Sequence, residues 1–390
     1  MNLKTDFYDS NLTTIAFNFY TGSYNETKNT LGIAHLTEHL VFRGTKNRNS
    51  TEINEYIESL GGYLNAYTSQ ENTKFYCTVP KEYIKEAINL LYEICFENTI
   101  PEDEFELEKD IVINELKMYE DDPQSVCQEN LFRLMFHNAF NRQIVGGTPK
   151  TVSKITRNQV IKYIKHNFTA NNLCIIITGG LKDNFNYTQY ISNLLPDTFS
   201  EIKLQPFKFN IEDTLIKTNR EGIQQSQLMW GIIGPKRDSK DSVPFAILNT
   251  YIGGNASSVL YKEIREKRGY VYNITTWIEW FNKYSILVGY ASLNEINIKK
   301  TMQVIYDTYK TLDNINLEAC KNYLIGEIYR QVETTSGNND NYTYYDSTVE
   351  DRINKIKQTT IQDVQQVFNK YFNQKICYSI VTPKGGKINE

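Results

Sequence analysis

The sequence predicts an α+β fold of two homologous domains, each a mostly antiparallel sheet with helices packed on one face. Three observations lead there. A chain of 390 residues is too long for one comfortable core. Some segments alternate apolar and polar residues, while others repeat apolar residues with helical spacing. The order of segments in the first half then returns in the second about 210 residues later, and one unit used twice explains this most simply. A chance sharing of α+β element order is the bland alternative.

In the first half, residues 12–21 (LTTIAFNFYT) form an apolar β-rich run and residues 33–43 a helix. Residues 51–60 read as a helix that stops at Gly61-Gly62. Two β-rich runs, 63–69 and 73–79, make a hairpin. Ile84, Ala87, Ile88, Leu91, Ile94 and Cys95 give residues 81–97 a helical period, and Pro101 suits the start of a long helix over 102–120. In the second half, a strand at 227–233 precedes helices at 241–252 and 257–266. A hairpin of 271–279 and 283–291 follows, then helices at 294–311 and 315–334. The expected division is residues 1–184, a linker over 185–215, and 216–390, with Pro196 and Pro206 marking the polar link.

Composition is that of an ordinary globular chain, and a net charge of −4 argues against a nucleic-acid binder. No stretch reaches the length of a membrane span, and the opening Met-Asn-Leu-Lys-Thr-Asp carries no apolar run of a signal peptide. The six cysteines form no C-x-x-C pair and most sit in apolar periodic segments, so buried free thiols are expected. A cytoplasmic location follows as an expectation.

The most informative segment is His35-Leu-Thr-Glu-His39. Helix residues four apart share a face, so both imidazoles can reach one metal ion, and Glu38 lies beside that face. Two neutral imidazoles suit zinc, and a nearby carboxylate can take a proton from a zinc-bound water. Two of only four histidines stand in this pattern. Two solvent-facing histidines on a helix are the bland reading. A third ligand must come from elsewhere. His137 and His166 sit in helical stretches without a suitable context. Glu108, Asp110 and Glu115 flank the apolar run Ile111, Val112 and Ile113. Glu108 and Glu115 are seven apart and share a face, but a solvated helix face accounts for them equally well.

The chain resembles the pitrilysin-type inverzincin metallopeptidases, a family that includes mitochondrial processing peptidase and short bacterial members. Gly32-Ile-Ala-His35-Leu-Thr-Glu38-His39-Leu-Val-Phe42-Arg-Gly44-Thr45 carries the likeness, with Asn65-Ala66-Tyr67-Thr68 and Thr73 after it. So does Leu260-Tyr-Lys-Glu-Ile-Arg265-Glu-Lys-Arg-Gly269-Tyr-Val-Tyr272. The resemblance implies one Zn2+ per chain held by His35, His39 and Glu115, with Glu38 as general base and Glu108 supporting a ligand histidine. It implies that Arg265 and Tyr272 stabilise the charged carbonyl oxygen, whereas a surface ion pair is the plain reading of Arg265 in its charged run. It also implies a peptide substrate, and a homodimer or a heterodimer with a paralogous subunit. The run Tyr63-Leu-Asn65-Ala66-Tyr67 reads as a strand near the metal helix, to whose edge an extended peptide can add; an ordinary core strand is the alternative. Two departures stand out. The opening strand with its Asn-Gly turn is expected to be reduced or missing, and Tyr270 replaces the usual Leu. The expected activity is zinc-dependent cleavage of unfolded peptides or peptide precursors. The rival readings are a non-catalytic peptide-binding or scaffold subunit and, more narrowly, a leader peptidase for a ribosomal peptide.

Overall fold

A computed structural model describes residues 2–136, 144–181, 185–202, 209, 211 and 214–384. The chain begins with β1 (Asn2–Phe7), β2 (Leu12–Phe19), α1 (Ile33–Leu40), α2 (Ser50–Ser59), β3 (Tyr63–Thr68) and β4 (Thr73–Pro80). It continues through α3 (Ile84–Phe96), α4 (Glu102–Asp121), α5 (Pro123–Met135), α6 (Pro149–Val152), α7 (Arg157–Asn167), β5 (Leu173–Gly179) and α8 (Tyr187–Leu194). The second half runs β6 (Leu215–Arg220), β7 (Ser226–Gly234), α9 (Ser242–Ile252), a π-helical turn (Tyr261–Glu266), β8 (Val271–Trp280) and β9 (Ser285–Leu293). It ends with α10 (Ile298–Thr308), α11 (Leu317–Val332), α12 (Thr335–Tyr344), α13 (Val349–Gln358), α14 (Ile361–Tyr371) and β10 (Cys377–Pro383).

Among the described residues, the strands form two five-stranded sheets, ordered β1-β5-β2-β4-β3 and β6-β10-β7-β9-β8. Each position in one order has its repeat counterpart in the other. Both sheets are antiparallel except for one parallel pair at the edge, β1 with β5 and β6 with β10. The expected mostly antiparallel α+β fold is therefore present twice.

Strand alternation explains the first core. Ile15, Phe17 and Phe19 of β2, Phe75, Cys77 and Val79 of β4, and Ile175 and Ile177 of β5 face one way. Helices α1 and α3 and residues of α7 cover them. The second core is built likewise, from Leu228, Trp230 and Ile232 of β7 and Tyr378 and Ile380 of β10 under α9 and α14.

Each sheet also carries one helix on its opposite face, which the expected one-sided packing does not include. Helix α12 packs on β2 and β5, and α5 packs on β7 and β10. The compact units are consequently discontinuous. One comprises Met1–Met118, Ala139–Lys208 and Gln331–Asp346, and the other Tyr119–Asn138, Phe209–Arg330 and Ser347–Glu390. A division at 184 and 216 assigns α5 and α12 to the wrong sheets. The covered faces explain why β2, β5 and β7 are buried almost end to end.

The opening strand is not missing. β1 pairs in parallel from Asn2↔Cys174 to Phe7↔Gly179. Its sequence NLKTDF lies half exposed at a sheet edge, so it lacks the clear alternation by which strands are recognised. Within the expected linker, α8 sends Ile191 into the first core, while residues 203–208, 210, 212 and 213 lie outside the described residues. All six cysteines are buried and unpaired, as expected. No described helix is long and apolar enough to cross a membrane.

Candidate metal centre

Helix α1 is amphipathic in an unusual sense. Ile33, Ala34, Leu36, Thr37 and Leu40 are buried, which leaves His35, Glu38 and His39 on the other side. Its first residues have no local cap, because Gly32 has no side chain and a φ of 92°. Glu26 serves instead. The Gly32 and Ala34 N–H groups each donate to one Glu26 carboxylate oxygen at 2.9 Å. Negative charge at a helix N-terminus is favourable, but burial dominates and pushes the Glu26 carboxyl up to about 8. Only glycine fits at position 32, since a Cβ there would stand 2.3 Å from the Gly146 carbonyl oxygen.

The two imidazole rings meet with centroids 4.7 Å apart. Helix α4 brings Glu115 to them: its Oε2 lies 3.9 Å from His35 Nε2 and 3.5 Å from His39 Nε2. The three ligand atoms fall within 4.8 Å of one another. Ligands about 2.0–2.2 Å from a tetrahedral zinc stand about 3.3–3.6 Å apart; the Glu115–His39 separation falls in that range and the Glu115–His35 separation lies slightly beyond it. One turn pair earlier on α4, Glu108 accepts from or pairs with His39 Nδ1 at 2.9 Å. It is buried, and its second oxygen meets Arg43. That contact directs His39 Nε2 toward Glu115. His35 Nδ1 is buried with no hydrogen-bond partner among the described residues, so only one of the two rings is held this way.

Electrostatics separates the groups further. Burial, then the His39 charge, lowers His35 to about 4, which keeps it in the neutral form that binds metals. Burial also pulls His39 down, but the Glu108 hydrogen bond and the charges of Glu38, Glu108 and Glu115 outweigh it and raise the ring above the usual value. The Glu38 carboxyl is raised by burial, partly offset by Thr68 and His39. Thr68 Oγ1 donates to Glu38 Oε2 at 2.6 Å. A carboxyl shifted toward neutrality is suited to accept and return a proton.

A cavity of about 280 Å³ opens beside Glu38 and His39, bordered by Phe42, Arg43, Asn65, Ala66 and Glu108. β3 is an edge strand. Asn65 and Ala66 border the cavity. Tyr67, in the same strand, is not among its lining residues. Its hydroxyl meets that of Tyr344 at 3.0 Å on the α12 side of the sheet, and burial raises its pKa. Alternation puts Tyr67 on the same face of β3 as Asn65, but its ring turns to α12 while Asn65 borders the cavity.

Arg265 and Tyr272 lie together in the second unit. The Arg265 guanidinium sits 4.7 Å from the Tyr261 ring centre and 5.7 Å from that of Tyr272. Tyr272 is 81% exposed. It is the extra residue of a bulge in β8, between Val271↔Leu293 and Asn273↔Ser292; bulges re-aim side chains in this way. His166 lies in the last turn of α7 and has no place in the metal group, and His137 lies outside the described residues. Sequence reasoning missed the parts played by Glu26, Arg43 and Thr68. Arg43 and Thr68 stand within the quoted motifs, but only folding reveals their partners.

Two family models match the chain. Insulinase (Peptidase family M16) covers residues 8–148 and Peptidase M16 inactive domain covers residues 154–322. The chain belongs to the M16, pitrilysin-type, peptidase family. The metal group falls in the first M16 match, and Arg265 and Tyr272 fall in the second. An uncharacterized zinc protease of Bacillus subtilis is 26% identical over 379 residues, spanning 94% of this chain and 91% of that protein. One from Mycobacterium leprae is 25% identical over 387 residues, spanning 94% and 86%. In fold, the chain is similar to an M16 inactive-domain protein of Pseudomonas fluorescens, with a TM-score of 0.88, 18% identity, and coverage of 99% of this chain and 96% of that one. A protease from Helicobacter pylori gives a TM-score of 0.88 at 18% identity, covering 97% and 96%. M16 membership rests on the two family models, and the solved structures show that the fold is shared.

Proposed function

We propose that this M16 chain is a zinc-dependent endopeptidase acting on unfolded peptides or peptide precursors. The observation that carries the reading is the convergence of His35, His39 and Glu115, with Glu38 alongside. Bound zinc supplies a Lewis acid and lowers the pKa of a coordinated water to about 7. His35, His39 and Glu115 hold the ion. Glu38 takes the proton from the attacking water and passes it to the departing amide nitrogen. Thr68 keeps the Glu38 carboxylate turned toward the site. Glu108 orients His39, and Arg43 secures Glu108. The free edge of β3, at Asn65 and Ala66, offers main-chain groups to an extended peptide, which favours unfolded substrates of varied sequence. Arg265 and Tyr272 enter through the sequence resemblance. A guanidinium and an exposed phenol are the donors that the charged carbonyl oxygen requires. The proposed assembly is a homodimer or a heterodimer with a paralogous subunit, and the buried unpaired thiols favour the cytoplasm.

The test combines metal analysis with a quenched-peptide assay. One zinc per chain is expected, lost in His35→Ala and His39→Ala together with cleavage. Zinc retained in both variants would remove the ligand assignment. A zinc-loaded wild-type chain that binds peptides without cleaving them would favour the scaffold reading.

A further inference from the structure

Helix α4 carries three longitudinal stripes. Phe105, Val112 and Leu116 are buried in the first core, and Glu108 and Glu115 face the histidines. The third stripe is exposed and carries Leu107 at 54%, Ile111 at 41% and Met118 at 60%, with the exposed Asn114 between the last two. At 100° per residue, Leu107, Met118 and Ile111 fall within about 40° of one another, and Ile111 about 40° from Glu115. Ile111 is four residues before Glu115 and Met118 three after it, so each is a surface neighbour of the ligand, about 5–6 Å away between Cβ atoms. Exposing three large apolar side chains along one side is unfavourable for a helix that has charged residues available for its solvent face.

We infer that the Leu107–Ile111–Met118 stripe is a specificity wall that selects peptides with large apolar side chains close to the scissile bond. The inference rests on the peptidase reading and names the substrate class of that same site. Two features on α4 support this occupant. The stripe borders Glu115 directly, so a peptide carbonyl brought to the metal group puts its flanking residues against it. Its length, eleven residues at 1.5 Å each, is about 16 Å, and an extended peptide covers that distance in about five residues. A wall of three aliphatic side chains recognises apolar surface without fixing a sequence. Selectivity by apolar contact of this kind amounts to about tenfold to a hundredfold between substrates.

The experiment uses the full zinc-loaded chain and two quenched peptides that differ only in having Leu or Ser at the two positions on each side of the cut. Wild type is expected to favour the Leu peptide about tenfold to a hundredfold in kcat/KM. The triple variant Leu107→Gln, Ile111→Gln, Met118→Gln alters exposed helix positions, so zinc content and Tm should stay at wild-type values while the preference falls to within about threefold. A preference that survives in the triple variant overturns the inference and leaves the peptidase reading intact. Fluorescence anisotropy of the same peptides on zinc-loaded Glu38→Gln reads binding without turnover. Equal binding of the two peptides there also overturns the inference, even if the chain proves not to cleave. A change in sedimentation mass in the triple variant, with the peptide preference unchanged, would assign the stripe to a second copy of the chain and overturn it too.

Discussion

The two sheets share one strand order but are sealed on their outer faces in opposite ways. Over the second sheet, α5 packs Leu131, Phe132 and Met135, with Leu131 and Met135 set closely over Gly231, where a Cβ would stand 2.9 Å from Met135 Sδ. Over the first sheet, α12 buries Thr335, Asn338, Asn339, Asn341 and Thr343. Asn339 donates to the Thr14 and Ile176 carbonyls, Thr14 meets Thr335, and Lys74, 1% exposed, reaches Asp340 and Thr343. The sheets differ again on their core sides. Helix α1, which carries the candidate ligand histidines, has its repeat counterpart in α9, which buries Pro244, Phe245, Ile247, Leu248 and Ile252 and carries no histidine or carboxylate. Topology is thus repeated, whereas polarity is not. A sheet order is set by strand alternation and pairing, which many side chains satisfy, so each copy is free to place its polar groups differently.

The largest expected effect breaks the chemical difference between α1 and α9. Glu38→Gln keeps the shape of the side chain but cannot take a proton. It should lower kcat by about 10²–10⁴ with zinc content and Tm unchanged. Appreciable turnover by the metal-loaded variant would end the assignment of Glu38 as base.

Next comes the contribution of the second unit. Tyr272→Phe removes one exposed hydroxyl, so packing and zinc content should stay as they are. If the phenol steadies the carbonyl oxygen, kcat falls by about 10²–10³. Wild-type kcat in a folded Tyr272→Phe protein would leave Arg265 alone in that role.

The two seals should fail differently. Leu131→Ala leaves a cavity under α5 and should cost about 2–5 kcal/mol in urea unfolding. Under α12, Asp340→Ala leaves the buried Lys74 ammonium without its carboxylate. That should cost about 3 kcal/mol, at the lower end for a broken buried pair because the Asp340 side chain is 39% exposed. Lys74→Met, which removes the buried charge itself, should stay within about 1 kcal/mol of wild type. Equal losses for Asp340→Ala and Lys74→Met would mean that the network, rather than charge compensation, holds α12.

The smallest effect concerns the helix cap. The folded pKa of Glu26 is raised to about 8 by burial, against its two N–H donors, while the unfolded carboxyl keeps its ordinary value. Between those values the folded chain binds the extra proton. The stability from this group is therefore complete below the ordinary carboxylate range and declines as pH rises to about 8. Glu26→Gln lacks this titration. Wild-type stability should fall from about pH 7 to 8.5 by about 1–2 kcal/mol more than that of the variant, since shared titrations cancel in the difference. Parallel pH profiles would show that Glu26 stays ionised across the range.

Local patterns made part of this molecule readable in advance. The face shared by His35 and His39, with Glu38 beside it, follows from helix geometry over five residues. The doubled element order follows from apolar periodicity, and the burial of the six cysteines from their apolar surroundings. Glu115 is different. Spacing alone leaves it undecided against a solvated helix face, and its place beside both imidazoles depends on how α4 crosses α1. Tertiary structure alone decided the rest. It used the polar edge strand β1, seated α12 on the first sheet and α5 on the second, capped α1 with a carboxylate six residues before Gly32, and set the Tyr67 hydroxyl against Tyr344 of α12. In each of these the partner is distant in sequence, or the residue's own neighbourhood gives no periodic signal. Periodicity reports which face of an element is buried, and only the packed chain determines what lies against that face.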